Sequence, residues 1–257
     1  MELKIDNMVC GYNKKTVLKD VNFSLKTGES ICLLGPNGIG KTTIFKTILG
    51  FIPIISGQIL IDNKDVTRCS AAQLATHIAY VPQAKGYTYQ FSVIDMLLMG
   101  RSVHIGKFSS PTQKDIDIAE KVLKDMDLWN YRNRLYNELS GGEQQIVLVA
   151  RAVVQDTDFI LMDEPASNLD FGNEHKLLDM VKRLKDDGKG VLMTSHSPSH
   201  AFWCCEKAIL LGRDRSMRFG LVDDVITTNN LTEAYGVPVT VLTDTRENKI
   251  LKTCCLY

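Results

Sequence analysis

The sequence lacks the features that mark secreted, membrane-spanning and disulfide-rich proteins. Its start has neither the basic end nor the apolar stretch of a signal peptide, and no apolar run approaches the roughly 18 residues that a spanning helix requires. The seven cysteines are an odd number without a C-x-x-C pair, which favours reduced thiols over a disulfide framework or a zinc site. Internal repeats and low-complexity tracts are also absent. These absences predict a cytosolic protein with a packed core.

The sequence also has no excess of charge of either sign. Thirty basic residues balance thirty acidic ones, so no overall field attracts nucleic acid or an anionic membrane, and no nucleic-acid partner is expected. The 257 residues suit one large domain or a core with an inserted subdomain, and the hydrophobic fraction of 44% is sufficient to form a buried core.

Two pairs of adjacent cysteines, Cys204-Cys205 and Cys254-Cys255, are candidate ligands for a soft metal ion. Neighbouring side chains point apart on a helix or a strand, and the pairs lack the spacing of metal ligands. We therefore expect no metal site at either pair.

A glycine-rich turn is the central motif of the sequence. The stretch Gly35-Pro36-Asn37-Gly38-Ile39-Gly40-Lys41-Thr42-Thr43 fits the pattern G-x-x-x-x-G-K-[ST], between a predicted strand at 29–34 and a predicted helix. Backbone N–H groups of such a turn converge on phosphate oxygens, and the helix N-terminus adds partial positive charge. Lys41 is expected to reach the β- and γ-phosphates, and the Thr42 hydroxyl to take one Mg²⁺ position. The turn therefore predicts binding of a nucleoside triphosphate.

Two carboxylates follow the apolar strand predicted at Phe159–Met162. The carboxyl end of a strand is where an α/β sheet presents its site. Asp163 is placed to hold Mg²⁺ through its water shell, and Glu164 to polarise the water that attacks the γ-phosphate. The alternative is that both carboxylates only cap the strand before Pro165, and the phosphate-binding turn upstream disfavours it.

A second candidate anion-binding helix begins in the segment Leu139-Ser140-Gly141-Gly142-Glu143. A serine cap followed by two glycines leaves backbone N–H groups at the helix N-terminus open to an anion. Read alone, the segment is an ordinary serine-capped helix after a turn. The anion-binding interpretation is favoured because Asp163 and Glu164 follow shortly and His196 comes after the next predicted strand.

The rest of the sequence alternates between strand and helix patterns. Short alternating runs up to about residue 28 and a hairpin at 56–65 predict antiparallel strands, and residues 87 to 135 become helical. Ser110 is the predicted cap of a helix that begins at Pro111. Strands alternating with helices after residue 140 imply a parallel sheet with right-handed crossovers.

In these motifs the sequence resembles the nucleotide-binding subunits of ATP-binding cassette (ABC) transporters over nearly its whole length. The motifs in the family's order are the turn at 35–43, Gln83, 139–143, 163–164, Ser167-Asn168-Leu169-Asp170 and His196. The resemblance implies an α/β fold with a RecA-like P-loop NTPase parallel-sheet core, an antiparallel β subdomain and an inserted α-helical subdomain. In this single ABC ATPase domain, the nucleotide-binding core with its β subdomain covers 1–86 and 151–222, the helical subdomain 87–150, and a short C-terminal extension 223–257.

The resemblance also implies a head-to-tail homodimer with two ATP molecules and Mg²⁺ at its interface. The turn at 35–43 of one subunit would face the helix start formed by Ser140, Gly141, Gly142 and Glu143 of the other. The remaining implied roles are adenine stacking by Tyr12, sensing of Mg²⁺ and the attacking water by Gln83, γ-phosphate contact by His196, and a link across the dimer by Asp170.

His200 lies four residues after His196, a spacing that metal-ligand pairs use on a helix. The γ-phosphate role already explains His196, so His200 is interpreted as structural.

Details resemble the family's importers for metal chelates, namely iron-siderophore, haem and vitamin B12. The segment Met99–His104 resembles their Gly-Arg-x-Pro-His segment, and 230–239 resembles their C-terminal stretch. The run Ser195-His196-Ser197-Pro198 is instead similar to relatives assigned to molybdate or tungstate uptake, so an oxyanion stays open.

The resemblance implies integral membrane permease subunits as partners and, through them, a substrate-binding protein. The chain would be peripheral on the cytoplasmic face of the cell membrane. The apolar stretch Phe91–Met99 is where the family receives a permease helix, unless this stretch packs into the core. The alternative function is a soluble ABC ATPase acting on DNA, ribosomes or iron–sulfur assembly. It is disfavoured by the single cassette, the neutral charge and the lack of a long coiled-coil insertion.

Overall fold

The computed structural model describes residues 1–13, 15–83, 90–106, 109–167, 169–246 and 249–256. Asn168 and the predicted start of the helical region at Tyr87 lie outside the described residues. The strands are β1 (Glu2–Tyr12), β2 (Lys15–Lys26), β3 (Ser30–Leu34), β4 (Ser56–Ile61), β5 (Lys64–Asp65), β6 (Ile78–Val81), β7 (Phe159–Met162), β8 (Gly190–Thr194), β9 (Lys207–Leu211), β10 (Met217–Leu221), β11 (Val239–Arg246) and β12 (Lys249–Leu256). The helices are α1 (Lys41–Ile48), α2 (Ala71–Leu74), α3 (Val93–Gly100), α4 (Gln113–Asp125), α5 (Gly141–Val154), α6 (Phe171–Asp186), α7 (Ser199–Cys204), α8 (Val222–Val225) and α9 (Thr228–Tyr235).

A largely parallel sheet forms the centre of the molecule, with strand order β10-β9-β3-β8-β7-β6. The five strands from β9 to β6 run parallel, and β10 pairs antiparallel with β9 at the edge. Every residue of β3, β7 and β8 is buried, because both faces of a parallel sheet are covered. This arrangement confirms the predicted α/β fold with a parallel core.

A second, antiparallel sheet has the order β2-β1-β4-β5. Its apolar face joins α1 in one core cluster that includes Leu3, Ile5 and Phe45. The predicted hairpin is present in β4 and β5, and its turn residues Asp62 and Asn63 both have positive φ. Positive φ at both central positions matches the right-handed twist of the flanking strands, so the turn agrees with the sequence prediction.

The helical region packs α3 against α5 and α4, and most of α3 is buried. Val93, Met96 and Leu97 belong to the main core cluster, whereas Phe91 and Met99 are exposed by 38% and 39%. The prediction that the whole stretch Phe91–Met99 receives a partner helix is therefore too broad, because its middle packs inward. No helix in the described ranges has the length and apolar character needed to cross a bilayer.

Arg101 connects three helices through a buried ion pair. Its Nε lies 3.0 Å from Asp115 Oδ1 on α4, and its Nη1 donates to the Val154 carbonyl at the end of α5 at 2.8 Å. His104 Nε2 donates to the neighbouring Gln155 carbonyl at 2.8 Å. The segment that resembles metal-chelate importers thus fastens the C-terminal end of α5, since cations near the last carbonyls stabilise a helix end.

The cap of α4 differs from the prediction. The helix begins after Thr112, not after Ser110, because the Thr112 N–H and hydroxyl both donate to the Asp115 carboxylate, at 3.0 and 2.7 Å. Asp115 sits at the third helical position, where a carboxylate closes a capping box, and Arg101 holds it there.

Acid titration of Asp115 is expected to weaken the fold. The Thr112 hydroxyl and N–H, and then Arg101, lower the pKa of Asp115 to about 2. A depressed pKa contributes stability that is present above the unfolded-state value of about 3.9 and is lost as the pH falls towards 2. Urea unfolding of wild type and Asp115→Asn should therefore give a stability difference that shrinks between about pH 4 and pH 2. Asp117→Asn on the exposed face is the control. A difference independent of pH would contradict the role of the Asp115 charge.

The C-terminal extension contains more structure than the sequence predicted. After β10 come α8, α9 and the antiparallel hairpin β11–β12, which lies on α7 and α9. Ser199 Oγ accepts the Cys254 N–H at 3.1 Å, and Thr228 Oγ1 accepts the Val241 N–H at 3.0 Å. The hairpin is therefore tied to the helices by side chain to backbone bonds.

One expectation about the cysteine pairs is wrong. Cys204 ends α7 and Cys205 follows it with an extended backbone, so the two Sγ atoms lie 3.8 Å apart and do not point away from each other. Among the described residues, no group of three or more histidine, cysteine or acidic side chains is arranged to hold a metal ion.

Candidate functional site

The turn after β3 has the backbone conformation that only glycine adopts easily. Gly35 has φ +149° and Gly40 has φ +125°. A Cβ at Gly35 would lie 2.9 Å from the Leu211 carbonyl oxygen, and one at Gly40 would lie 2.8 Å from Leu18. The two glycines therefore let the turn pass close to β9 and β2 before α1 begins at Lys41.

Lys41 is folded back onto this turn. Its Nζ donates to the carbonyl oxygens of Gly35 and Pro36, at 2.8 and 3.3 Å. Burial lowers the pKa of Lys41, while the nearby Glu164 and Asp163 carboxylates act in the opposite direction. The side chain is only 6% exposed, so the ammonium group is held at the turn beside the carboxylates that end β7.

Thr194, at the end of β8, connects the two carboxylates. Its hydroxyl donates to Asp163 Oδ1 at 2.9 Å and accepts the Glu164 N–H at 2.7 Å. The backbone of Glu164 is in the left-handed region, with φ +49°. Besides Glu164 and Arg215, the described non-glycine residues with positive φ are all asparagine or aspartate. A glutamate in this conformation is a feature of strained functional sites, and it directs Glu164 away from the strand.

His196 and Glu164 form a close pair. Nε2 of His196 lies 2.6 Å from Oε2 of Glu164. Gln83 reaches the same place from β6, since its amide donates to Ser167 Oγ at 2.8 Å and Ser167 donates to the Glu164 carbonyl at 2.8 Å. The structure thus brings Lys41, Asp163, Glu164, His196 and Gln83 to one edge of the parallel sheet.

The second predicted helix start has the serine cap that the sequence predicted. Ser140 is the N-cap of α5, its N–H donates to Glu143 Oε2 at 2.8 Å, and its hydroxyl accepts the Glu143 N–H at 3.3 Å. Tyr131, followed by the Ser140 N–H, lowers the pKa of Glu143, so this side chain is an ionised cap. Ser140 and Gly141 are exposed, and nothing lies within 4 Å of a Cβ built at Gly141.

The start of α5 rests on the start of α6. A Cβ at Gly142 would lie 2.6 Å from Asn173 Nδ2, so glycine permits the contact. Asn173 is held by Asp170, the N-cap of α6, which accepts its backbone N–H and its amide N–H at 2.8 Å each. Among the described residues, no hydrogen bond joins the segment 139–143 to the turn at 35–43.

Tyr12 and Thr42 stand at the surface. Tyr12 ends β1 and is 43% exposed, and Thr42 is exposed at the first turn of α1. Among the described residues, neither side chain makes a contact that bears on its predicted role, so both roles stay predictions. The sequence analysis missed one residue of the site, Thr194, and named Ser167 within a motif without giving it a role. Thr194 ends an apolar strand as Asp163 follows one, and this shared position at a strand end is the signal that could have found it.

Comparison with known proteins finds the same architecture elsewhere. The family model described as "ABC transporter" matches residues 18–167. A manganese transport system ATP-binding protein of Bacillus subtilis is 37% identical, with 94% of this chain and 95% of that protein covered. An iron chelatin transport ATP-binding protein of Helicobacter pylori is 34% identical (93% and 94% covered). A molybdate import ATP-binding protein of Haemophilus influenzae is 31% identical (92% and 89% covered).

A solved structure has a similar fold over nearly the full length of this chain. It is a metal-chelate type ABC transporter in an inward-facing conformation, with a TM-score of 0.88 and 28% identity. The alignment covers 99% of this chain and 97% of that one.

Proposed function

The chain belongs to the ABC transporter family as an ATP-hydrolysing subunit of an importer-type transporter, and from this premise we propose that it drives uptake of a metal chelate. The observation that carries the site assignment is the convergence of Lys41, Asp163, Glu164 and His196 at one sheet edge. The metal-chelate cargo is supported by the transporter structure that aligns with 99% of the chain. The manganese transport relative makes a metal ion a second candidate cargo, which the sequence analysis did not include.

The nucleotide phosphates would lie in the turn at 35–43. Its backbone N–H groups and the start of α1 supply positive potential, and Lys41 would exchange its bonds to the Gly35 and Pro36 carbonyls for phosphate oxygens. Tyr12 at the exposed end of β1 would stack on the adenine.

The side chains present fit a magnesium ion. The Thr42 hydroxyl, the Gln83 amide oxygen and the Asp163 carboxylate are hard oxygen donors, which Mg²⁺ prefers. Asp163 uses Oδ1 to accept the Thr194 hydroxyl and keeps Oδ2 for a ligand. Bound Mg²⁺ would neutralise charge on the phosphates.

Glu164 is the proposed general base for hydrolysis. Its carboxylate would polarise the attacking water, and the His196 imidazole, which now contacts Glu164, would turn to the γ-phosphate when nucleotide is present. Through its hydrogen bond to Ser167, Gln83 would couple the nucleotide site to the segment that leads to Asp170.

A second copy of the chain would complete the site. The exposed N-terminus of α5 presents Ser140 and Gly141 to an anion, yet among the described residues it contacts α6 and forms no hydrogen bond with its own phosphate turn. A head-to-tail dimer brings this helix end to the γ-phosphate held by the other copy, with Asp170 beside it on α6. ATP binding would therefore close the dimer, and hydrolysis would reopen it.

The permease would dock in a groove between the parallel sheet and α3. The most exposed apolar side chains of this groove are Phe51, 54% exposed, and Met99, 39% exposed. Phe51 makes an edge contact with the ring of Tyr80. An amphipathic helix with a few apolar anchors suits such a groove. The partner would then hold the chain on the cytoplasmic face of the membrane. The groove is lined by Leu49, Phe51, Leu74, Ile78, Tyr80, Met99, Arg151 and Gln155 among others.

Phe51→Glu is expected to uncouple the chain from its permease. A charge placed among apolar anchors is costly to bury, so the variant should lose at least about tenfold in affinity for the permease while its own ATP hydrolysis is unchanged. Co-purification from detergent-solubilised membranes measures the first effect and phosphate release the second. Leu242→Glu, an equal change at an exposed residue of β11, is the control. Equal recovery of permease with both variants would remove this groove as the docking site.

The proposed function is tested by capturing the closed complex and measuring what it transports. The Glu164→Gln chain, purified from solubilised native membranes with Mg-ATP, should bring a polytopic membrane protein with it. That permease, reconstituted in vesicles with the wild-type chain, should accumulate an iron chelate in an ATP-dependent manner, as measured by mass spectrometry of the metal. Accumulation of manganese or molybdate instead would replace the chelate cargo. Capture of soluble partners only would refute the transport assignment for this chain.

A further inference from the structure

A buried histidine beside the candidate site has no part in the hydrolysis described above. His200 on α7 is 9% exposed, and its two ring nitrogens have different partners. Nε2 lies 3.1 Å from Oε1 of Glu174 on α6, and Nδ1 lies 2.9 Å from Oγ of Ser195 after β8. Because a carboxylate only accepts, Nε2 donates to Glu174, and Nδ1 forms a hydrogen bond with the Ser195 hydroxyl. His200 therefore links α6 to the loop after β8.

The Ser195 oxygen also shapes the backbone around His196. The Ser197 N–H donates to Ser195 Oγ at 3.0 Å, which closes a short turn with His196 between the two serines. The side chain of His196, which this turn carries, contacts Glu164 through Nε2. A continuous set of hydrogen bonds thus joins α6 to the turn that carries His196.

Apart from its contact with Glu164, His196 depends on this turn for its position. Its side chain is 46% exposed, so packing alone does not select one orientation. Ser195, in contrast, is 4% exposed, and a buried hydroxyl with satisfied partners keeps one geometry. The rigid part of the loop is therefore the buried pair of Ser195 and His200.

We propose that His200 is a positioning residue for ATP hydrolysis, which holds Ser195 and thereby the His196 turn from its anchor on Glu174. The inference rests on the proposed function of Glu164 and His196. A displacement of about 1 Å at a reacting group lowers a rate by about 100-fold, so loss of this anchor is expected to act on kcat. The Kd for Mg-ATP should change much less than kcat, because Lys41 and the phosphate turn share none of these hydrogen bonds.

Three substitutions separate the two bonds of His200. In His200→Asn the side-chain amide replaces Nδ1 and keeps the Ser195 bond, whereas in His200→Gln the amide replaces Nε2 and keeps only the Glu174 bond. His200→Leu loses both. We expect kcat to fall about 10- to 100-fold in the Leu variant, to be restored in large part by Asn, and to stay low with Gln. His175→Ala on the exposed face of α6 is the matched control and should keep the wild-type kcat.

A double-mutant cycle tests whether His200 acts through His196. In the His196→Ala background, His200→Leu should cause no further loss of kcat, because the group that it positions is already absent. If the Leu variant lowers kcat by the same factor in both backgrounds, or if Asn and Gln give equal kcat values, the inference is overturned. The Asn and Gln comparison decides the matter if the Leu variant fails to fold.

The cycle also separates the inference from the function on which it rests. A wild-type kcat for His196→Ala would overturn both the role of His196 and the role of His200. A low kcat for His196→Ala together with a wild-type kcat for His200→Leu would overturn the positioning role alone.

Discussion

Replacing Glu164 by glutamine is expected to lower kcat for ATP hydrolysis by about 10²- to 10⁴-fold, the contribution that a positioned general base makes. The amide keeps the shape of the side chain and a contact with His196, so Mg-ATP still binds. In the proposed cycle hydrolysis reopens the dimer, so the variant should accumulate as a closed dimer with ATP. Phosphate release measures kcat, and size-exclusion chromatography with light scattering measures the dimer.

The control for this experiment is Glu233→Gln, which changes an exposed carboxylate of α9 that is paired with Arg218 on the edge strand β10. It should hydrolyse ATP as wild type does and remain in the same oligomeric state. If Glu164→Gln turned over at the wild-type rate, the base would be another group, and Asp163 would be the next residue to examine.

Replacing Lys41 by alanine is expected to weaken nucleotide binding by about 10- to 150-fold, because a hydrogen bond to a charged group contributes about 1.5–3 kcal/mol. In the structure the ammonium group already occupies the turn, where it donates to the carbonyl oxygens of Gly35 and Pro36. Its loss therefore removes the proposed phosphate-binding group and two hydrogen bonds that shape the turn. Isothermal titration with Mg-ATP measures the change in Kd.

Lys46→Ala, in the last turn of the same helix, separates the two effects. It removes one positive charge from α1 at the end away from the turn and should leave the Kd nearly unchanged. Wild-type affinity in Lys41→Ala would remove Lys41 from the phosphate site, and a similar loss in both variants would point to general charge and not to the turn.

Much of this fold is predictable from the sequence because its signals are local. The strand at Phe159–Met162 agrees with its predicted bounds, since a short run of apolar residues bounded by polar ones is typical of a strand that is buried on both faces. The phosphate turn is equally local, because its glycines and its lysine lie within nine residues of one another.

The parts that were not predicted depend on contacts between distant segments. The hairpin β11–β12 carries three threonines on β11, and two lysines and one threonine on β12, so it has little apolar alternation of its own and is held by Ser199 and Thr228. The cap at Thr112 was missed for a related reason, because Arg101 stabilises the Asp115 that closes it.

Within the site, the sequence analysis identified the groups that carry charge but not those that hold them. The link from Glu174 through His200 to Ser195 joins three elements, and no spacing in the sequence reveals it. His200 was interpreted as structural because its neighbour His196 already had a role. Its two hydrogen bonds are visible only once α6 and α7 are packed together.

The fastening of α5 has a mechanical consequence. The helix has 14 residues and is therefore about 21 Å long. One end, at Ser140, is exposed and would face the second copy in the proposed dimer. The other end is held by Arg101 and His104 and lines the groove through Gln155. A helix is stiff along its axis, so a displacement of the first end is transmitted to the second. In the proposed assembly this one helix would connect the nucleotide site to the permease, and we expect the movement passed between them to be limited by how far the helix can pivot about Arg101.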